Sequence, residues 1–88
     1  MFPELREIPC ESKKEYFELT NWIMEYFKVH MFMRVKAMYE HLELEPIPEN
    51  ANDYCWFSVN DFSLHKVEGR YFIATRDPIE IIGKKEDQ

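Results

Sequence analysis

Ser12-Lys13-Lys14-Glu15-Tyr16-Phe17-Glu18-Leu19 opens the longest stretch of this chain without proline or glycine, which runs from Pro9 to Pro46. Its first four residues fit a capping box. The Ser12 hydroxyl can accept from the Glu15 backbone N–H, and the Glu15 carboxylate can reach back to the N–H of Ser12. Aromatic, Met and Leu residues crowd the stretch from Tyr16 to Leu44, so it reads as one helix over 12–45. Pro46 closes it by disfavouring helical backbone at Glu45. The polar residues Glu18, Asn21, Glu25, Lys28, Lys36 and Glu43 share one narrow arc of that helix. The apolar residues spread over about twice the roughly 100° stripe of an ordinary surface helix. A straight helix over 13–44 would span about 48 Å at 1.5 Å per residue. A compact chain of this length is only about 30 Å across. The helix therefore either breaks, with His30–Arg34 the place where polar residues enter the apolar arc, or overhangs into a partner.

Outward from the helix, residues 1–11 read as an irregular arm, interrupted by Pro3 and Pro9. Residues 45–53 read as a loop. Beyond it the periodicity shifts from helical to alternating, and 54–82 reads as a β-meander with strands at Tyr54–Val59, Phe62–Val67, Tyr71–Thr75 and Ile79–Ile82. Glu68-Gly69 suggests a two-residue hairpin loop, which pairs Leu64 with Ile73 and His65 with Phe72. Asn60-Asp61 suggests a second tight turn, pairing Phe57 with Leu64 and Trp56 with His65. Alternation then puts Phe57, Val59, Phe62, Leu64, Tyr71 and Ile73 on the core face. Trp56, His65 and Phe72 fall on the other. Residues 83–88 read as a frayed tail. The expected fold is α+β: one long helix, kinked or straight, on a three- to four-stranded antiparallel meander, all within a single domain over 1–88.

Composition narrows the function classes. The chain has 88 residues and a net charge of −6. It has no run of 18 apolar residues, and 1–7 lacks the basic-then-apolar pattern of a signal peptide. Cys10 and Cys55, its two cysteines, read as free thiols. The expected location is the cytoplasm. No two of Cys10, Cys55, His30, His41 and His65 stand at a metal-ligand spacing, so no metal is expected. Two glycines make no phosphate cradle, and no strained nucleophile elbow accompanies Ser58, Ser63 or Cys55. The chain is expected to be neither an enzyme nor a cofactor carrier. The helix lacks the basic rim of a membrane-surface helix.

Charge is unevenly laid down. Lys28, Arg34 and Lys36 stand in 26–39 without an acid. Glu40, Glu43, Glu45, Glu49, Asp53 and Asp61 stand in 40–61 without Lys or Arg. A basic stripe for direct nucleic-acid binding is missing. The acidic segment, with Tyr54 and Trp56, instead predicts a surface for a basic protein partner. Duplex DNA carries about one charge per 1.7 Å of axis, and a row of carboxylates can imitate it. In style the segment resembles small acidic inhibitors of phages and mobile elements, which would place the chain in the host cytoplasm, in the basic groove of a DNA- or RNA-binding protein. The rival expectation is a structural or adaptor subunit whose apolar helix completes a larger assembly. The excess apolar arc also predicts a homodimer through Trp22, Tyr26, Met33 and Met38.

Overall fold

The computed structural model describes residues 5–81. The fold is α+β, with one long helix, one short helix and two small three-stranded antiparallel sheets. Its elements are β1 (Glu7–Cys10), α1 (Lys13–Val29), β2 (Met33–Arg34), α2 (Val35–Leu42), β3 (Tyr54–Trp56), β4 (Phe62–Val67), β5 (Arg70–Thr75) and β6 (Ile79–Glu80).

The helix begins where the capping box puts it. Ser12 Oγ accepts from the Glu15 N–H at 3.1 Å. The Glu15 carboxylate reaches one residue further than the motif implies, accepting from the Glu11 N–H at 3.2 Å. The single helix over 12–45 is not what forms. α1 stops at His30, whose N–H still donates to the Tyr26 carbonyl at 2.9 Å. The chain then runs extended through Met33 and Arg34 before α2 starts. The break falls in the His30–Arg34 interval, and its cause is burial. It takes Met33, Val35 and Met38 to 0% exposure by turning α2 onto β3 and the 49–53 segment, while His41 stacks on Trp22 of α1 at 3.7 Å. α2 ends three residues before Glu45. Glu43 takes the left-handed conformation (φ 57°), and the Leu44 N–H donates to the Tyr39 carbonyl at 2.9 Å.

The first sheet has the order β1-β5-β4. Residues 7–10 are thus a strand, not part of an irregular arm; Ile8 pairs with Ile73 and Cys10 with Tyr71. The β4–β5 register is the one the hairpin loop implies, with Leu64 opposite Ile73 and His65 opposite Phe72. Both loop residues have positive φ, Glu68 at 53° and Gly69 at 78°, as a type I′ turn requires. Tyr16, Leu19 and Ile23 of α1 are buried against this sheet together with Ile8 and Ile73.

The expected turn at Asn60-Asp61 does not make a hairpin. Residues 59–61 form a 3-10 turn that carries the chain round a corner into another sheet. β3 pairs with β2 and β6, not with β4, in the order β2-β3-β6. The predicted pairs Phe57–Leu64 and Trp56–His65 are absent for that reason, and the faces change with them. Trp56 is buried at 1% exposure while Phe57 stands 53% exposed. Val59 and Leu64 are exposed rather than core. The expected strand through Ile82 and the tail 83–88 extend outside the described residues.

Candidate protein-binding surface

The acidic segment is divided by the fold into two groups. Glu40 lies on α2, Glu43 forms its cap and Glu45 follows in the loop, but the expected loop over 45–53 is not irregular throughout: Glu49 opens a 3-10 turn, Glu49–Asp53. All four are exposed. Among the described residues none of the four is in an ion pair. The loop that carries them is anchored from β2. The Arg34 guanidinium donates to the Asn52 carbonyl at 2.6 Å and lies over the Phe32 ring at 5.4 Å. Those two contacts tie the cation to loop backbone on one side and to an aromatic face on the other.

Asp53, Asp61, Tyr54 and Trp56 do something else. Asp61 Oδ2 accepts from the Phe57 N–H at 3.0 Å, while Ser58 Oγ accepts from the Asn60 N–H at 3.0 Å. These two bonds shape the corner. The Asp53 carbonyl accepts from the Ile81 N–H at 2.8 Å, and Asp53 and Tyr54 are half-buried and engaged within the fold. Trp56 is no surface aromatic. Its Nε1–H donates to the Arg76 carbonyl at 2.8 Å, and its ring meets Phe62 edge-on at 5.1 Å.

The four residues expected at a helix-mediated dimer interface are used inside the chain. Met33 and Met38 lie in its core. Trp22 and Tyr26 are half-buried, Trp22 under His41 and Tyr26 beside His30 at 4.3 Å. The excess apolar arc belongs to a straight helix, and the break consumes this side of it.

Sequence alone misses two features. One is an apolar corner: Val29 and Met31 are 77% and 90% exposed, next to Phe32, whose ring stacks on Phe57 at 6.0 Å. The 29–33 run of Val, His, Met, Phe and Met is the available signal, masked by its inclusion in a continuous helix. The other is an open groove of about 970 Å³ along β1, lined by Ile8, Cys10, Leu42, Leu44 and Tyr71 among others. Burial, and then the nearby Glu15 carboxylate, push the Cys10 thiol above its ordinary range. Burial also raises Cys55, with Arg34 opposing and Asp61 adding to the rise. Both thiols are free and buried, and a protonated thiol is a poor nucleophile. Burial lowers His41 from its ordinary 6.5. His65 stacks on Phe72 at 5.1 Å. Among the described residues no three His, Cys, Asp or Glu side chains come together to hold a metal ion. No described helix is long and apolar enough to cross a membrane.

No family model, no curated protein and no solved structure matches this chain.

Proposed function

We propose that the chain is a non-enzymatic binding module, working in the cytoplasm, that presents Glu40, Glu43, Glu45 and Glu49 to a basic protein surface and competes there with nucleic acid. One observation supports the reading above the others: these four carboxylates are consecutive acids of one anchored segment, exposed and without an ion-pair partner among the described residues. Carboxylates held on a short, folded scaffold spare the backbone ordering cost when a cationic groove closes on them, so that only side-chain rotamers are immobilised. Arg34 on Asn52 and the left-handed cap at Glu43 supply that scaffold. Asp61 and Trp56 belong to the structural support, and Asp53 and Tyr54 lie at its edge.

A second reading has its own observation. The corner of Val29, Met31 and Phe57 suits an adaptor that completes a larger assembly through apolar contact. Salt separates the two. A partner captured from host extract at low salt, then titrated from 50 to 500 mM salt as about a tenfold span, should lose affinity steeply and be displaced by duplex DNA or RNA if carboxylates carry the contact. Affinity that stays flat with salt, and that nucleic acid does not compete for, would transfer the assignment to the apolar corner.

A further inference from the structure

The two edges of the β1-β5-β4 sheet are unlike. In a hairpin closed by a two-residue type I′ loop, Val67 and Arg70 exchange the bonds that close the turn. Ser63, His65 and Val67 then aim their backbone groups at β5. Phe62, Leu64 and Lys66 aim theirs away. The Thr75 N–H donates to the Arg6 carbonyl at 2.8 Å, which turns Thr75 toward β1 and agrees with this parity. Carried across to β1, it turns Ile8 and Cys10 toward β5, and Glu7 and Pro9 outward. The β1 edge is thus blunted by a proline with no N–H to offer.

The β4 edge has no such guard. It is six residues long, without proline, and Ser63 through Val67 are all exposed. Lys66 is its one Lys, Arg, Asp or Glu, and its ammonium lies 5.5 Å over the Tyr71 ring. A second observation concerns α1. Trp22 faces α2 through its stack on His41. On the opposite flank of the helix Phe27 meets Phe62 of β4 at 6.1 Å. At 100° per residue, Phe17, Thr20 and Met24 lie on that Phe27 flank. Phe17 is 51%, Met24 47% and Leu64 50% exposed. Among the described residues, an unpaired strand edge and an apolar helix flank therefore lie on the same side.

We propose that this side is the seam of a homodimer: two copies pair their β4 edges antiparallel about a two-fold axis at Leu64, and the α1 flanks bearing Phe17 and Met24 close over the joint. The parity chooses the register. With the axis at Leu64, the outward residues Phe62, Leu64 and Lys66 meet Lys66, Leu64 and Phe62 of the second copy. The Phe62 N–H is already given to the Val59 carbonyl, but its own carbonyl stays open to the Lys66 N–H of the second copy. An isologous seam needs one surface to complement itself, and a strand edge whose outward residues are centred on a single Leu does so. Area sets the strength. Half-exposed Phe17, Met24 and Leu64 leave about 300 Å² of apolar side chain per copy, and the strand edge brings the contact to about 1,000 Å² in all, the lower limit of a specific interface. The dimer should accordingly form in the micromolar range. The seam is on the opposite flank of α1 from α2 and the four carboxylates, so it does not depend on the acidic surface.

The test is sedimentation of the full chain between about 1 and 500 µM, spanning micromolar affinity. Wild type should pass from monomer to dimer. Leu64→Lys and Met24→Lys should each raise the dissociation constant at least tenfold. Met31→Lys, at the more exposed corner, should leave it unchanged. Hydrogen exchange at the Leu64 and Lys66 amides should slow with concentration. Should Leu64→Lys disturb the hairpin by circular dichroism, Met24→Lys on the helix still decides. A wild-type monomer at about 500 µM, or a dimer that Met31→Lys breaks and Met24→Lys spares, would overturn the seam.

Discussion

The β1-β5-β4 sheet and the β2-β3-β6 sheet are held by different bonds. The first is a backbone ladder: β4 and β5 pair over six residues each, and β1 adds four more. The second has strands of two or three residues. Its coherence comes from side chains that reach backbone: Trp56 to the Arg76 carbonyl, Arg34 to the Asn52 carbonyl, and Asp61 to the Phe57 N–H. A ladder tolerates substitution of most exposed side chains, because its bonds are main-chain. A lattice of side-chain bonds does not. The segment with the four open carboxylates hangs from the second kind.

The difference is broken hardest at Trp56. Trp56→Ala removes the largest fully buried side chain and orphans the Arg76 carbonyl, and should cost about 3–5 kcal/mol in urea unfolding. His65→Ala, on the exposed face of the ladder, should cost under about 1 kcal/mol by the same measurement. Equal losses at the two sites would erase the contrast. Asp61→Ala comes next. It frees the Phe57 N–H at the corner and should cost about 1 kcal/mol, whereas Ser63→Ala two residues on should cost less than half of that. Glu68→Asn sharpens the comparison from the other side. Glu68 bears a left-handed backbone that asparagine accepts more readily, so stability should rise by about 0.5 kcal/mol, seen as a higher Tm with the β4–β5 register kept.

His41 gives the smallest effect. Its ring is exposed overall but loses water where it stacks on Trp22, which favours the neutral form. A folded-state pKa below the unfolded value means that this contribution is fully present above pH 6.5 and is lost as pH falls through the lowered value. By NMR, His41 should titrate below 6.5 in wild type and move upward in Trp22→Ala. An unmoved midpoint would show that the stack does not set it.

How much of the molecule is legible in the sequence follows the same division. Ser12, Glu68-Gly69 and the alternation of 62–75 are local signals, and the structure keeps the elements they specify. The break of the helix at His30–Arg34 is one of two outcomes the apolar arc allows; its form, a strand at Met33–Arg34, depends on pairing with Trp56 and Cys55, about twenty residues away. Asn60-Asp61 resembles a hairpin turn because a turn and a corner use the same residues, and only the partner of β3 separates them. The faces of Trp56 and Phe57 are reversed for that reason. β1 is hidden by Pro9, which is tolerated because it sits on an edge. For the acidic surface, Glu40, Glu43, Glu45 and Glu49 are legible as charge without compensation. That Asp61 caps the corner is not, since a carboxylate's hydrogen bonds depend on the fold around it.

Whether these four carboxylates are the binding surface, with the rest of the segment as their support, is tested most directly by one affinity measurement. The variant Glu43→Lys, Glu45→Lys, Glu49→Lys is titrated against the partner captured by wild type, with Tm measured in parallel. At about 1.5 kcal/mol or more for each close charge pair, affinity should fall at least a hundredfold while Tm stays near that of wild type. Unchanged affinity in a folded variant would contradict the carboxylate surface.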